Sequence, residues 1–445
     1  MTRAVSVDVL ERAGLEPEEA ERRAALFDRV ALTWPWTDPP SLAWHVPGRI
    51  EVLGKHTDYA GGRSVVCATE QGFAFLARPR SDRVLRLFDA VRSEARDGAI
   101  SVDQSATLGD WSNYPMTAAR RLAADFGIER GADIAFASDV PFAAGVSSSS
   151  ALLVGTALAL MAVNRLEQDS SFAAAISSPE EFGGYLGAVE NGRPFGALRG
   201  SGGVGTLGGS QDQTAILCSR PNALAQYRFD PVELEGVMAW PDRLSFVIAA
   251  SGVVAEKTGA AIEHYNALAR LTSVLSEHAR AIYGDQIRSL GAALIDHEDA
   301  PSRIGERIAS LGDPRLAARL AQLTAECRLI IPGVHRAFTR GDLRRVGELV
   351  ELSQEGAELG LGNQIPETRA LVEMARIEGA IAASAFGAGF GGSVWAIVDR
   401  GDAPRFRADW LARYRSGFPE RRTGSAAVIT RPAIPATRLF PDSGR

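Results

Sequence analysis

The pattern of hydrophobic and polar positions predicts a helical lead-in and then alternating strands and helices over the first half of the chain. Apolar residues recur at helical spacing over residues 7–30, and prolines at positions 35, 39 and 40 end this helix. The period then changes to that of β-strands over residues 44–78. Further strands are predicted at 82–103 (a strand pair), 132–140 and 215–218, and helices at 112–127, 151–166 and 179–191.

The second half of the chain is mainly helical between two regions of strand. Strands are predicted at 244–251, 393–398 and 426–432, and helices at 255–283, 286–296, 302–310, 315–328, 341–359, 366–383 and 408–418. A boundary is expected at 230–242, which contains Pro231 and Pro241. We therefore expect an α+β chain with two lobes, divided into a lead-in over 1–40, a first domain over 41–235 and a second over 236–445.

Composition and charge exclude several classes of protein. The 445 residues are 46% hydrophobic and 23% charged, which is typical of a globular enzyme and not of a disordered chain, a collagen or a coiled coil. With a net charge of −6, the chain as a whole lacks the excess of basic residues that is typical of nucleic-acid-binding proteins. No apolar run reaches the roughly 20 residues of a membrane span. The charged N-terminus shows no signal peptide, so we expect a cytoplasmic protein. Cys67, Cys218 and Cys327 are too few and too scattered for a disulfide framework or a zinc site.

Lysine is almost absent from the sequence. Of 48 basic residues only Lys55 and Lys257 are lysines, and the rest are arginines. A genome rich in G and C accounts for the bias. A lysine that survives in such a chain is nevertheless a better than usual candidate for a site that needs a compact ammonium group, because the two side chains are not interchangeable.

A loop rich in small residues, PFAAGVSSSSA at 141–151, leads into the apolar helix. Small residues let the backbone approach a ligand closely, and a helix N-terminus offers free N–H groups to an anion. The segment therefore predicts a phosphate site formed by Gly145, Ser147, Ser148, Ser149 and Ser150. The alternative is an N-cap on a core helix, for which one serine suffices.

The segment GAGFGG at 387–392 matches the G-x-G-x-x-G pattern of dinucleotide-binding proteins. That fingerprint must follow a strand and open a helix. Here a helix is predicted before it and a strand after it, so the dinucleotide interpretation fails and a tight turn is the simpler alternative. The P-loop pattern GxxxxGK[ST] is absent from the sequence.

The segment PGRIEVLGKHTDYAGG at 47–62 concentrates arginine, lysine, histidine, aspartate and tyrosine in a loop after a short strand. Together with the serine loop and GAGFGG, it resembles the GHMP kinases, and among them the galactokinases. The galactokinase signature reads PGR-[VI]-N-L-I-G-E-H-T-D-Y-N-G-G, and the phosphate loop reads P-x-x-x-G-L-S-S-S-A-A. The resemblance covers residues 25–430 and implies an N-terminal α/β lobe, a C-terminal ferredoxin-like lobe and a site between them.

The reaction that the resemblance implies is phosphoryl transfer from ATP, with Mg²⁺, to the anomeric hydroxyl of a sugar. Asp212, in GSQDQ, would accept the proton of that hydroxyl, and Arg49 would stabilise the transferring group. Ser149 and Glu190 match the magnesium ligands, and Trp111 would lie near the adenine. The implied sugar contacts are at the positions of Lys55, His56, Asp58, Gly209 and Tyr265. Lys257 is similar to part of a further family segment.

The chain departs from the galactokinase signature at Lys55, where the signature has a glutamate that binds sugar hydroxyls. A lysine offers only donors, which suit a carboxylate. We therefore expect the substrate to be a sugar acid such as galacturonate or glucuronate. The alternative is that Lys55 turns outward or pairs with Asp58 or Asp212, and that the substrate is neutral.

The glycine-dense stretch at 192–209 is longer than its counterpart in galactokinases. It is either a flexible lid or a shaped loop, and Arg193 or Arg199 could give a second contact to an acid. Two alternatives to a uronate kinase stay open: a kinase for a neutral sugar, an amino sugar or arabinose, and a catalytically silent sugar sensor. The sensor is disfavoured because Arg49 and Asp212 are retained. A monomer or homodimer that binds sugar and ATP is expected.

Overall fold

The computed structural model describes residues 3–102, 109–140, 145–253 and 260–440, with the backbone alone at 260–262. The helices are α1 (Val7–Arg12), α2 (Pro17–Thr33), α3 (Asn113–Phe126), α4 (Ser148–Asn164), α5 (Ser170–Ala175), α6 (Pro179–Asn191), α7 (Gln211–Cys218), α8 (Ala260–Tyr283), α9 (Leu290–Asp296), α10 (Ala300–Ala309), α11 (Pro314–Ala325), α12 (Ile331–Thr339), α13 (Leu343–Glu355), α14 (Pro366–Ile377) and α15 (Ala403–Gly417). The strands are β1 (Leu42–Leu53), β2 (Arg63–Pro79), β3 (Val84–Asp89), β4 (Glu94–Ala99), β5 (Ala132–Ser138), β6 (Ala223–Arg228), β7 (Glu233–Ala239), β8 (Leu244–Ala250), β9 (Ala382–Phe386), β10 (Ser393–Asp399), β11 (Ala426–Thr430) and β12 (Thr437–Arg438).

The larger sheet has the order β12–β1–β2–β5–β3–β4, and β6 and β7 extend it from β2. Only the β3–β5 pair is parallel among its described strand pairs. Successive side chains of a strand point to opposite faces, so each long strand serves two layers. Trp44 and Phe75 pack with helices α3, α4 and α6, whereas Ala43 and Leu76 pack with α1 and α2. The first lobe therefore has a helical layer on each face of its sheet.

The smaller sheet is antiparallel and has the order β11–β8–β10–β9. Helices α8–α14 connect β8 to β9, and α15 connects β10 to β11. This order of strands and helices is that of a ferredoxin-like lobe, enlarged by extra helices in its first crossover. The two-lobed α+β prediction is thus confirmed.

The two sheets share an apolar core. Ile50 and Val52 of β1 lie in one cluster with Phe246, Trp395 and residues of α12 and α13. The indole N–H of Trp395 also donates to the carbonyl oxygen of Glu51, at 3.2 Å. This apolar core is therefore continuous across both lobes. The division at residues 40 and 235 stays a prediction.

Several predicted elements differ from those observed. The N-terminal helix is two helices, because Gly14 adopts a positive φ and Pro17 starts a new helix. The apolar run at 215–218 belongs to helix α7, not to a strand; a run this short does not distinguish the two. The helix predicted at 366–383 ends at Ile377, and β9 follows it. The GAGFGG segment therefore connects two strands. Strands β6 and β7 were not predicted.

Among the described residues, no helix is long and apolar enough to cross a bilayer.

Helices α6 and α7 approach each other closely through glycine. A Cβ atom at Gly187 of α6 would lie 2.4 Å from the Cβ of Ser210, and one at Gly183 would lie 3.1 Å from the hydroxyl of Thr214. Helix α6 carries Glu190 near its end, and α7 carries Asp212 in its first turn. The glycines therefore set the distance between these two carboxylates.

We predict that Gly187→Ala lowers the free energy of unfolding by about 1–3 kcal/mol, because the added methyl group overpacks this contact. Urea denaturation measures the change. Gly305→Ala in α10 is the control: its Cβ would have nothing closer than 3.9 Å, so it should be neutral or stabilise by about 0.5–1 kcal/mol. Equal effects of the two substitutions would contradict the packing argument.

Candidate active site

A cavity of about 500 Å³, counting its open mouth, lies between the two lobes. Its lining is polar and comes from β1 and the loop after it, from α6, α7 and α8, and from two glycine-rich loops. The lining residues are Arg49, Glu51, His56, Asp58, Glu190, Thr206, Gly208, Gly209, Gln211, Asp212, Gln213, Tyr265, Gly387 and Ala388.

Arg49 and Asp212 form an ion pair at the centre of the lining. The Arg49 Nε donates to Asp212 Oδ1 at 2.7 Å, and its Nη1 donates to the carbonyl oxygen of Gly145 at 2.6 Å. The other carboxylate oxygen of Asp212 accepts from the hydroxyls of Ser147 and, at 3.5 Å, Ser150. Only 3% of Arg49 is exposed, so the pair is sheltered from water screening.

Strand β1 presents Arg49 and Glu51 to the cavity because they are two residues apart. Ile50 and Val52 point to the opposite face, into the core that both lobes share. The register with β2 shifts on both sides of residues 49–51. Such irregularities re-aim side chains, and they occur here where β1 meets the site.

The serine loop is described from Gly145 onward, and residues 141–144 lie outside the described residues. Ser147 precedes α4 with φ 64°, and its hydroxyl contacts Asp212 rather than capping the helix. The plain N-cap alternative therefore does not describe this loop. The first N–H groups of α4 are available to an anion, as the phosphate prediction requires.

Glu190 lies at the end of α6 and is 4% exposed. Its Oε2 accepts from Ser150 Oγ at 3.0 Å and from Gln213 Nε2 at 2.6 Å. The serine whose hydroxyl donates to this carboxylate is Ser150, the neighbour of the predicted Ser149. Carboxylate and hydroxyl oxygens are the donors that Mg²⁺ prefers, so the residues present fit this ion.

His56 forms a wall of the cavity but has both ring nitrogens occupied. Its Nε2 lies 3.0 Å from the carbonyl oxygen of Ala388, and its Nδ1 lies 2.9 Å from the hydroxyl of Tyr59. The carbonyl can only accept, so Nε2 carries the proton. Burial, aided by Arg319, lowers the pKa of His56 to about 3. His56 is therefore neutral, and in this arrangement neither nitrogen is left for a sugar.

Asp58, Gly209 and Tyr265 line the cavity together. The backbone N–H of Gln211 donates to Asp58 Oδ2 at 3.1 Å, and burial raises the pKa of Asp58. A Cβ at Gly209 would lie 2.3 Å from that carboxylate oxygen, so this position must be glycine. The Tyr265 ring lies 5.1 Å from that of His56, and burial raises its pKa well above 10.

Trp111 is not among the lining residues. Its indole Nε1 donates to Glu94 Oε2 at 3.1 Å, and the guanidinium of Arg96 lies 5.7 Å from its ring centre. Its place near an adenine stays a prediction. Lys257 lies outside the described residues.

Three family models match the chain: the GHMP kinase N-terminal domain over residues 113–188, the GHMP kinase C-terminal domain over 334–416, and the galactokinase galactose-binding signature over 37–79. The chain thus carries both GHMP kinase domains together with the galactose-binding signature of galactokinases.

Relatives and solved structures agree with these matches. The galactokinase-like chain is 26% identical to a galactokinase of Roseiflexus sp. over 88% of its own length and 90% of the relative's. It is 28% identical to a galactokinase of Streptomyces coelicolor, over 81% of its own length and 85% of the relative's. Lactococcus lactis galactokinase complexed with galactose shares the fold with a TM-score of 0.73 and 22% identity, over 93% of this chain and 99% of that one. L. major mevalonate kinase in complex with R-mevalonate matches more loosely, with a TM-score of 0.53 and 15% identity over 89% of this chain and 97% of that one.

Lys55 of this galactokinase-like protein does not face the cavity, which corrects the expectation that it binds a substrate carboxylate. It is 1% exposed, and its Nζ donates to Ser384 Oγ at 2.7 Å and to Ser353 Oγ at 3.1 Å, both in the second lobe. Ser353 in turn donates to Glu326 Oε1 at 2.5 Å. Burial lowers the pKa of Lys55, although Glu326 opposes the shift. Lys55 therefore anchors one lobe to the other.

The glycine-dense stretch is a shaped loop that forms one side of the cavity. Asn191 Oδ1 accepts from the N–H of Gly208 at 2.6 Å and from Thr206 Oγ1 at 3.1 Å. Arg193 and Arg199 are exposed and do not line the cavity, so the expected second basic contact is not observed.

Sequence reasoning missed four lining side chains: Glu51, Thr206, Gln211 and Gln213. The two glutamines flank Asp212, and Glu51 is two residues from Arg49 on a strand. Those spacings could have identified three of the four. Thr206 had no such signal, because only the fold of the loop places it.

We predict that Lys55→Met leaves the ratio of kcat/KM for galactose and galacturonate unchanged and lowers the free energy of unfolding by about 1–3 kcal/mol, because it leaves two buried serine hydroxyls without their donor and removes the positive charge that offsets Glu326. Enzyme assays and urea denaturation measure the two effects. Adding Glu326→Gln should restore part of the stability. A selective loss of galacturonate turnover in Lys55→Met would restore the carboxylate-binding role.

Proposed function

We propose that this protein is an ATP-dependent, Mg²⁺-dependent kinase that phosphorylates the anomeric hydroxyl of a neutral sugar of the galactose type. The observation that carries the proposal is the position of Asp212, held between the guanidinium of Arg49 and the serines at the start of α4. This arrangement puts a proton acceptor and a cation beside an anion-binding helix end, as in-line phosphoryl transfer requires.

The reaction forms a bond between the anomeric oxygen and the γ-phosphorus, and breaks the bond from that phosphorus to the oxygen of the leaving ADP. Asp212 accepts the proton of the sugar hydroxyl. Arg49 keeps Asp212 ionised and stabilises negative charge on the transferring group. The N–H groups of Ser147 and Ser148 at the start of α4 bind phosphate oxygens. Glu190, with Ser149 or its neighbour Ser150, would hold the metal ion. When bound, Mg²⁺ neutralises charge on the phosphates.

A neutral substrate fits this cavity better than a sugar acid. Four carboxyl groups line it, from Glu51, Asp58, Glu190 and Asp212, and the guanidinium of Arg49 is already paired. A substrate carboxylate would face the carboxylate of Asp212, and such a contact between like charges costs several kcal/mol. The relatives named galactokinase and the solved galactokinase–galactose complex support galactose as the first substrate to test.

Of the side chains expected to bind sugar hydroxyls, Asp58 and Tyr265 remain, because both ring nitrogens of His56 bond to the protein. Asp58 accepts hydrogen bonds, and the neutral phenol of Tyr265 donates one. Gly209 gives the sugar space beside Asp58. A cytoplasmic location and a monomeric or dimeric state stay predictions.

We predict that Asp212→Asn lowers kcat for galactose by about 10²–10⁴-fold, because the amide cannot accept the proton. Calorimetry should still detect binding of ATP and galactose. Asp133→Asn is the matched control, since Asp133 is also ion-paired, with Arg78 and Arg80, but lies outside the cavity. Equal kcat losses in the two variants would contradict the role of Asp212.

A substrate panel tests the neutral-sugar proposal directly. We expect galactose to have the higher kcat/KM in the pair galactose and galacturonate, and the neutral sugar to be preferred again in the pair glucose and glucuronate. The assay couples ADP release to the mass of the product. A higher kcat/KM for the acids would overturn the choice of substrate, and ATP binding without turnover of any sugar would restore the sensor alternative.

A further inference from the structure

The Glu51 carboxyl group lines the cavity, yet the proposed mechanism does not use it. It lies two residues from Arg49 on β1 and is 5% exposed. Its Oε2 accepts from Gln211 Nε2 at 2.7 Å. Its Oε1 is buried and has no hydrogen-bond partner among the described residues. Buried polar atoms in proteins are almost always paired, so an oxygen without a partner on a side chain that lines the cavity points to the substrate.

The side chains near Glu51 that could donate a hydrogen bond form their observed bonds with atoms other than Oε1. Arg49 bonds to Asp212 and to the carbonyl of Gly145, and Lys55 bonds to two serines of the second lobe. The side chain of Gln211 is fixed at both ends, because its Oε1 accepts from Ser64 Oγ at 2.7 Å. None of these three side chains forms a described hydrogen bond to Oε1.

We propose that Glu51 binds a sugar oxygen through Oε1 and thereby helps to determine which sugar is accepted. This inference rests on the proposed function, because it assigns a further contact in the same cavity. The galactokinase signature has asparagine at this position, so the carboxyl group is a feature of this chain. Glu51 is a binding residue in this assignment and takes no part in proton transfer from the reacting hydroxyl.

The ionisation of Glu51 fixes the direction of this hydrogen bond. Burial raises the pKa of Glu51 to about 8, against the lowering effect of Arg49 and Lys55, and Asp212 raises it further. At pH 7 the group is therefore mainly protonated. Because Oε2 accepts from Gln211, the proton lies on Oε1, which donates to the sugar. Above pH 8 the donor is lost and a charge appears, so the KM for the sugar should rise with pH.

The test compares Glu51→Gln and Glu51→Leu with the wild type, using galactose at pH 7 and pH 9. Glu51→Leu should raise the KM for galactose on the order of tenfold at pH 7, with little change in the KM for ATP, since a tenfold change corresponds to one good hydrogen bond. Glu51→Gln should keep a KM close to the wild-type value, because its amide N–H₂ takes the place of Oε1. Its KM should also lose the rise between pH 7 and pH 9.

Glu326 provides a matched control. It is also a buried carboxyl group with one unpartnered oxygen, Oε2, and burial likewise raises its pKa, but it does not line the cavity. Glu326→Gln and Glu326→Leu should leave the KM for galactose and its pH dependence unchanged. Equal changes at the two positions would overturn the inference, because they would show a general effect of buried carboxyl groups. A Glu51→Gln variant that binds as poorly as Glu51→Leu would overturn it as well.

Deoxygenated sugars distinguish direct contact from positioning. With galactose analogues that each lack one hydroxyl, Glu51→Leu should add no further loss for the one analogue that lacks the partner oxygen. A uniform loss across all analogues would show that Glu51 acts only through Gln211, and would overturn the contact.

The proposed function and this inference can fail separately. If the wild type turns over no galactose, the proposed function fails. Calorimetry over the same sugars then decides the inference: a sugar that binds the wild type and Glu326→Leu but not Glu51→Leu supports it. If no sugar binds the wild type, the inference fails too.

Discussion

The buried guanidinium of Arg49 holds the site together. It bonds to a carboxylate at the start of α7 and to a carbonyl of the loop before α4, while its own strand, β1, pairs along its length with β2. An arginine can do this because its planar group offers several donors in fixed directions. Three segments far apart in the sequence thus meet at one charged group, and the apolar core on the other face of β1 fixes that group relative to the second lobe.

The motifs in the sequence predicted which segments meet, but not the direction of every side chain. Arg49 and Asp212 were expected to face each other, and they do. Lys55 lies in the same motif and was expected to face the substrate, but its flexible chain reaches hydroxyls of the second lobe instead. A motif fixes the path of the backbone, and the rotamer of a long side chain depends on partners that come from elsewhere in the fold.

The order of the elements was largely predictable, because long periodic segments bury one face whatever surrounds them. Whether a short segment forms a helix or a strand was not predictable. Helix α7 has eight residues, and its apolar run gave no sign of its period. Its helical form matters for the site, since it places Gln211 and Asp212 in a first turn beside Asp58. Thr206 shows the same limit, because hydrogen bonds to Asn191 within a glycine-rich loop decide its position.

The strand β12, at residues 437–438, pairs with β1, and Ile434 and Leu439 complete the core beneath α1 and α2. Residues 434–439 therefore complete the first lobe, although the other elements of that lobe come from the first half of the chain. During synthesis from the N-terminus, that lobe stays incomplete until the ribosome has made the whole second lobe. Contacts of such high sequence separation slow folding, and the unpaired edge of β1 is exposed in the meantime.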